Sequence, residues 1–179
     1  MTIKDNDNLV AIIAEGNTEQ AIFDVLIKHN AIKYSSDELL QEEIIRCRSG
    51  KSFAKKYLNK SIGKKVLIYR VLDSRKENFK LPPAYKEKVS NIINLYTHPE
   101  IEILFILYHG DYQKFKNQKG TIKASTFVKE NYHDLTSVKA YDDNFLFWDE
   151  HFSDLIKALK LYKSYNSNND HCIADLLVH

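Results

Sequence analysis

The sequence predicts an α/β protein: an open, mostly parallel sheet flanked by helices, with a helical C-terminal part. Three observations predict it. Short, uninterrupted apolar runs alternate with segments of helical period. Glycine and proline number only five and three in 179 residues, too few for the many tight turns of an all-β chain. After Gly110 the apolar positions recur almost wholly at helical spacing. The 44% apolar and 28% charged content is that of a globular domain and excludes disorder and fibre. The length suits one domain with a real core.

Leu9-Val10-Ala11-Ile12-Ile13-Ala14 reads as a first strand buried on both faces. Glu15-Gly16-Asn17-Thr18-Glu19 interrupts it, and Thr18 is the expected N-cap of a helix whose Ile22, Phe23, Leu26 and Ile27 share one face. Ile44 to Arg48 reads as a short second strand, followed by a Ser-Gly turn and a helix from Lys51 to Leu58. Val66 to Leu72 is a third strand, ending at Asp73. Ser74 to Lys80 and the Pro82-Pro83 pair form a loop. The spacing of Val89, Ile92, Ile93 and Tyr96 predicts a helix from Tyr85 to Tyr96, and Ile101 to Tyr108 a fourth apolar strand. Helices are then expected over Asp111 to Asn117, Ser125 to Tyr132 and Asn144 to Tyr165, with a loop at Asn166 to Asp170. Residues 1–110 form the expected core and 111–179 a helical part packed on it.

The net charge of +2 neither demands nor excludes a nucleic-acid partner, so its distribution matters more. Arg46, Arg48, Lys51, Lys55, Lys56, Lys60, Lys64 and Lys65 follow one another without an acidic residue. Lys114, Lys116, Lys119 and Lys123 form a second unopposed run, while acids gather at Asp142, Asp143, Asp149, Glu150 and Asp154. Such asymmetry suits a surface that tracks phosphates; solvated helix faces would look the same. Phe53, Tyr57, Tyr112 and Phe115 interleave with these runs and can stack on bases, although Phe53 and Tyr57, four residues apart, suit core packing better.

Several chemistries are excluded. Gly50-Lys51-Ser52 lacks the glycine that a phosphate loop needs five positions earlier, where Ile45 stands. The seven histidines show no zinc-binding pair, though His109 follows an apolar run and can line a site edge. Cys47 and Cys172 cannot make a disulfide framework, and Trp148 sits in a core-like helical pattern. Met1 to Asp7 has no signal-peptide pattern, and no apolar run spans a bilayer. A cytoplasmic protein with no membrane partner is expected.

In an open parallel sheet, ligands sit beyond the carboxyl ends of the strands. Glu15 and Asp73 both fall there. Two carboxylates on one sheet edge offer hard oxygen ligands to Mg²⁺; alternatively, Glu15 favours the helix dipole and Asp73 is a solvated loop residue. Gly16 leaves room for a backbone or phosphate to approach.

Glu15-Gly16-Asn17-Thr18-Glu19 after an apolar strand resembles the opening motif of TOPRIM domains. It is most similar to RloB-like proteins and the TOPRIM modules of OLD-type nucleases from bacterial defence loci. Asp73 matches the first acidic residue of that family's Asp-x-Asp motif. His98-Pro99-Glu100-Ile101-Glu102-Ile103-Leu104 resembles its Asn-Pro-x-Phe-Glu-x-Trp segment, with Glu102 at the third acidic position. Asn168 to Leu177 is loosely like its closing Asn-Pro-Ser-Thr stretch.

The resemblance implies a TOPRIM-like fold and a hydrolase that cleaves phosphodiester bonds in DNA or RNA with Mg²⁺ or Mn²⁺. It would act in phage defence, beside a partner ATPase. Glu15 would be general base or acid, with Glu15, Asp73 and Glu102 around the metal. Lys123 would neutralise developing charge, the alternative being a solvated surface lysine, and Arg46, Arg48, Lys51, Lys55, Lys56 and Arg75 would bind nucleic acid. The sequence departs from the pattern at Arg75, where the second Asp should stand, and at Ile101 and Leu104. A cation in place of a ligand repels metal. The alternatives are weak binding of one Mg²⁺, recruitment of Glu77, or lost catalysis in a module that binds nucleic acid or a partner without cutting. Arg75 can also meet a phosphate directly with its planar fork. A rival from another class is a nucleotide-binding α/β domain in which Glu15 and Asp73 contact ribose or a cation.

Overall fold

Leu9–Ile13 forms strand β1, as its apolar run predicts, and Val66–Leu72 forms β2, buried along its whole length. The computed structural model describes residues 8–118, 120–133, 135–166 and 170–178. Lys119 of the second basic run, and Asn168 and Asn169 of the closing motif, lie outside them.

The sheet is parallel and three-stranded, in the order β1-β2-β3. Leu9 lies beside Val66 and Ile13 beside Arg70; on the other side of β2, Ile68 lies beside Ile92 and Leu72 beside Tyr96. The third strand, β3 (Val89–Tyr96), follows a 3₁₀ turn over Pro83–Lys88. This corrects the expected helix from Tyr85 to Tyr96, and the cause is local. An irregularity in the β2–β3 register, where Leu67 lies beside Asn91 after Val66 beside Val89, inserts one residue. Val89 and Ile92, three apart, therefore pack on the same hydrophobic cluster, which imitates helical periodicity in a strand.

Ile101 to Tyr108 is corrected in the opposite sense. Ile103–Tyr108 is a helix, α3, with Ile103 to Leu107 all buried. An unbroken apolar run fits a buried strand or a buried helix equally well by period; here helices surround it on enough sides to bury every face. Ile44 to Arg48 is not a strand. Ile45 makes one parallel bridge to Ile13, with its N–H 2.8 Å from the Ile12 carbonyl oxygen.

Two clusters cover the two faces of the sheet. Helix α1 (Asn17–Lys28) and the C-terminal helices pack on one face, where Ile12, Tyr69, Leu95, Phe105, Phe127 and Trp148 meet. The other face carries Ala11, Ile13, Val66 and Ile68 under α2 (Gly50–Phe53), whose chain continues as a wide π-turn through Leu58. Phe53 and Tyr57 are buried in this second cluster, as their spacing predicts. Gly16, not Thr18, caps α1; Thr18 is buried in its first turn, with its hydroxyl 3.4 Å from the Val138 carbonyl oxygen.

After α3 come α4 (Tyr112–Gln118), α5 (Ala124–Asn131), α6 (Tyr141–Glu150) and α7 (Phe152–Tyr165). The single long helix expected up to Tyr165 is thus two, separated at His151, whose backbone leaves helical geometry. The break lets Phe147 and Trp148 before it, and Leu155, Ala158 and Leu159 after it, all reach one core. Residues before and after Gly110 share that core. Among the described residues, no helix is long and apolar enough to cross a membrane.

Candidate functional site

Glu15 lies two residues beyond β1, Asp73 directly beyond β2, and Glu102 at the N-cap of α3. Parallel strands carry the first two to one edge of the sheet, and the buried helix brings up the third. All three line one cleft of about 310 Å³. Glu19 and Glu100 line it too, so five carboxylates share one depression with Arg46 and Lys139. Glu100 also accepts a 2.8 Å hydrogen bond from the Ser125 N–H, which ties the start of α5 to the cleft.

The walls differ in how they treat charge. Glu102 is 3% exposed, between Ile101 and Ile103. Burial pushes its carboxyl up to about 7; its own backbone amide and Lys139 oppose the shift, and Glu100 and Glu19 add to it. The Glu19 carboxyl is also raised, first by burial, with Asp73 and Glu15 adding repulsion. A depression with crowded carboxylates, two of them reluctant to ionise, is a place where a cation relieves strain. Among the described residues, no three of His, Cys, Asp or Glu are gathered into a ready ligand group. Mg²⁺ typically takes only one or two carboxylates and keeps waters and phosphate oxygens for the rest of its shell, so the donor set suits that ion.

Gly16 does leave room, but its occupant is internal. A Cβ there would lie 1.9 Å from a carboxylate oxygen of Glu19, so the glycine lets Glu19 fold back against the backbone. Glu19 was within reach of sequence reasoning as the last residue of the Glu-Gly-x-Thr-Glu run, and Glu100 as the neighbour of Glu102. Nothing in the sequence marked Lys139, which arrives on the loop before α6.

The basic residues divide. Arg46 lines the cleft and hydrogen-bonds to the Asn17 side chain. Exposed Arg48 donates to Glu15 at 2.6 Å. Lys51, Lys55 and Lys56 are exposed along the α2 segment, with Lys56 Nζ 4.8 Å from the Tyr57 ring centre. Lys123 is exposed at the cap of α5 and is not among the residues lining the cleft. Arg75 is not among them either: it pairs with Asp170 and faces a neighbouring pocket. Phe115 is buried, and His109, at the end of α3, stacks on Tyr132 at 3.8 Å.

Glu77, the alternative ligand, is engaged elsewhere. It accepts from Arg70, a residue of the central strand that is 3% exposed, at 3.1 Å. The Arg70 guanidinium also lies 4.5 Å from the Phe79 ring centre. Removing one partner strands a buried charge. Glu77→Ala is therefore expected to cost about 1–2 kcal/mol, less than for a fully buried pair because Glu77 is partly solvated. Urea unfolding checks this as a lower midpoint at unchanged slope; an unmoved midpoint would mean that Arg70 is stabilised without Glu77.

Gly50 also finds its reason in packing. A Cβ there would meet the Lys80 carbonyl oxygen at 2.4 Å, so the glycine lets α2 approach that loop, while Ser49 caps α2 by accepting from the Ser52 N–H.

No protein-family model matches this chain, and comparison with curated proteins and with solved structures returned no match.

Proposed function

We propose that the chain is a divalent-cation-dependent hydrolase of phosphodiester bonds in nucleic acid. The observation that carries this reading is the convergence of Glu15, Asp73 and Glu102, chosen from distant parts of the sequence, on one cleft at the carboxyl edge of the sheet. Asp73 and Glu102 are the residues that would hold Mg²⁺ or Mn²⁺, which typically takes one or two carboxylates. When bound, the ion would polarise a phosphoryl oxygen and lower the pKa of a water.

The chain's own groups supply the rest. Glu15 lines the cleft and would take a proton from the attacking water. Arg48, now on Glu15, is placed to turn to an incoming phosphate, which suits its planar fork. Arg46 and Lys139 offset negative charge at the walls, and Lys51, Lys55 and Lys56 extend a basic surface from Arg48 along α2. A cytoplasmic role in bacterial phage defence, beside a partner ATPase, belongs to this proposal on the strength of the motif resemblance alone.

A second reading, binding without cleavage, is favoured by one specific observation: the Arg48–Glu15 pair occupies the residue that would act as base. Incubation of plasmid, single-stranded DNA and RNA with Mg²⁺ or Mn²⁺, wild type beside Glu15→Ala, separates the two. The hydrolase reading expects cleavage by the wild type and a loss of at least a hundredfold in the variant. Equal cleavage by both would overturn the role of Glu15; no cleavage by the folded wild type would favour the binding module.

A further inference from the structure

A second depression, of about 480 Å³, adjoins the acidic cleft, and Asp73 lines both. It opens beyond the carboxyl ends of β2 and β3, between α4 and α7. Its walls have a composition unlike the cleft's. Tyr96, Tyr112, Tyr162 and Tyr165 supply aromatic surface, and Arg75, Lys76 and Lys116 supply positive charge. The volume is that of a pocket for a small organic ligand.

The aromatic rings fall into two groups. The Tyr162 hydroxyl is spent inside the fold, 3.3 Å from the Tyr96 carbonyl oxygen and 3.2 Å from that of His98. Tyr112 and Tyr165 stack on each other at 4.4 Å, 4° from parallel, and Tyr165 is 47% exposed. A flat, preformed and partly solvated aromatic platform beside lysine and arginine suits a ligand with a planar ring at one end and negative charge at the other. Arg75 lies 5.7 Å from the Tyr96 ring centre and is neutralised by Asp170, which leaves Lys76 and Lys116 as the other lining cations, Lys116 on the same helix as Tyr112.

We propose that this pocket holds one unpaired nucleotide, its base on the Tyr112–Tyr165 platform and its phosphate toward Lys116. The nucleotide is free or part of a single strand running on into the cleft. The strand form rests on the hydrolase reading, because Asp73 is what joins the two depressions; the pocket's ligand chemistry does not.

Binding is measured by fluorescence anisotropy, in EDTA so that cleavage plays no part. The probes are a short labelled oligothymidylate, the matching duplex, and adenosine monophosphate as competitor. The single strand is expected to bind more tightly than the duplex. Tyr165→Ala should weaken it about tenfold, while Tyr165→Phe, which keeps the ring, should bind as wild type does. Lys116→Gln, at an exposed position, serves as a second variant that does not touch the platform and should weaken binding severalfold. Displacement of the strand by the mononucleotide identifies a free-nucleotide site; binding of the strand without such competition identifies a strand site. Affinity indifferent to both Tyr165→Ala and Lys116→Gln, or no binding by the wild type, overturns the proposal. If cleavage still depends on Glu15 in that case, the pocket alone is wrong. If Tyr165-dependent binding persists in a chain that cleaves nothing, the hydrolase reading alone is wrong.

Discussion

Glu102→Gln is expected to raise stability at pH 8 and, on the hydrolase reading, to abolish cleavage. In the folded chain burial holds this carboxyl at about 7, against an ordinary 4.5. Between those values the folded state keeps a proton that the unfolded state has released, so stability falls as the pH rises through that window and the loss is complete above about 7. At about 1.4 kcal/mol per unit, the carboxylate costs the wild type on the order of 3 kcal/mol at pH 8, which a neutral amide of similar size removes. Below pH 4.5 both states are protonated, and the variant should unfold like the wild type. Urea melts at pH 4 and pH 8 read this directly. Mg²⁺ should stabilise the wild type at pH 8, by binding the folded state, and leave the variant unchanged. A variant less stable than wild type at pH 8 would mean that its neighbours hold Glu102 ionised without cost to the fold; a wild type that Mg²⁺ leaves unmoved would remove Glu102 from the cation site.

Trp148→Ala is expected to cost 3–5 kcal/mol, about the value for deleting a buried aromatic. The indole is wholly buried, with Phe105 at 4.7 Å, Phe147 at 4.9 Å and Tyr108 at 5.9 Å between ring centres. Phe105 belongs to the helix that Glu102 caps, so the cavity would open against the element that carries part of the acidic cleft's wall. Trp148→Phe should cost far less, about 1–2 kcal/mol. It keeps most of the volume and removes an indole N–H that has no hydrogen-bond partner among the described groups. Circular dichroism during chemical unfolding checks both. Equal losses in the two variants would show that the indole's shape, rather than a filled volume, holds α3.

The core around Trp148 holds a helix whose N-terminal carboxylate is buried at a cost, and that cost is what keeps an ionisable group poised at the cleft.

The acidic edge was legible in the sequence because it needs only local information. A strand that is apolar throughout must be buried, it must end where polarity returns, and Glu15 and Asp73 stand at those ends. The α/β class followed from the same alternation. The identities of the third strand and of α3 were not legible. Val89–Tyr96 wears a helical spacing because an inserted residue turns Val89 and Ile92 to one side. Ile103–Tyr108 is apolar on every side, so periodicity cannot say whether a strand or a helix is being buried.

What the sequence by itself determined is which carboxylates stand at strand ends and which lysine runs go unopposed, since both are properties of the chain. The tertiary structure alone decided which of them meet. It brought Lys139 to the cleft, and turned Arg75 away to Asp170. It also joined Tyr112 to Tyr165 across the helical part. These are contacts between positions far apart in the chain, set by how helices pack on a sheet, and no local pattern encodes the partner across such a gap.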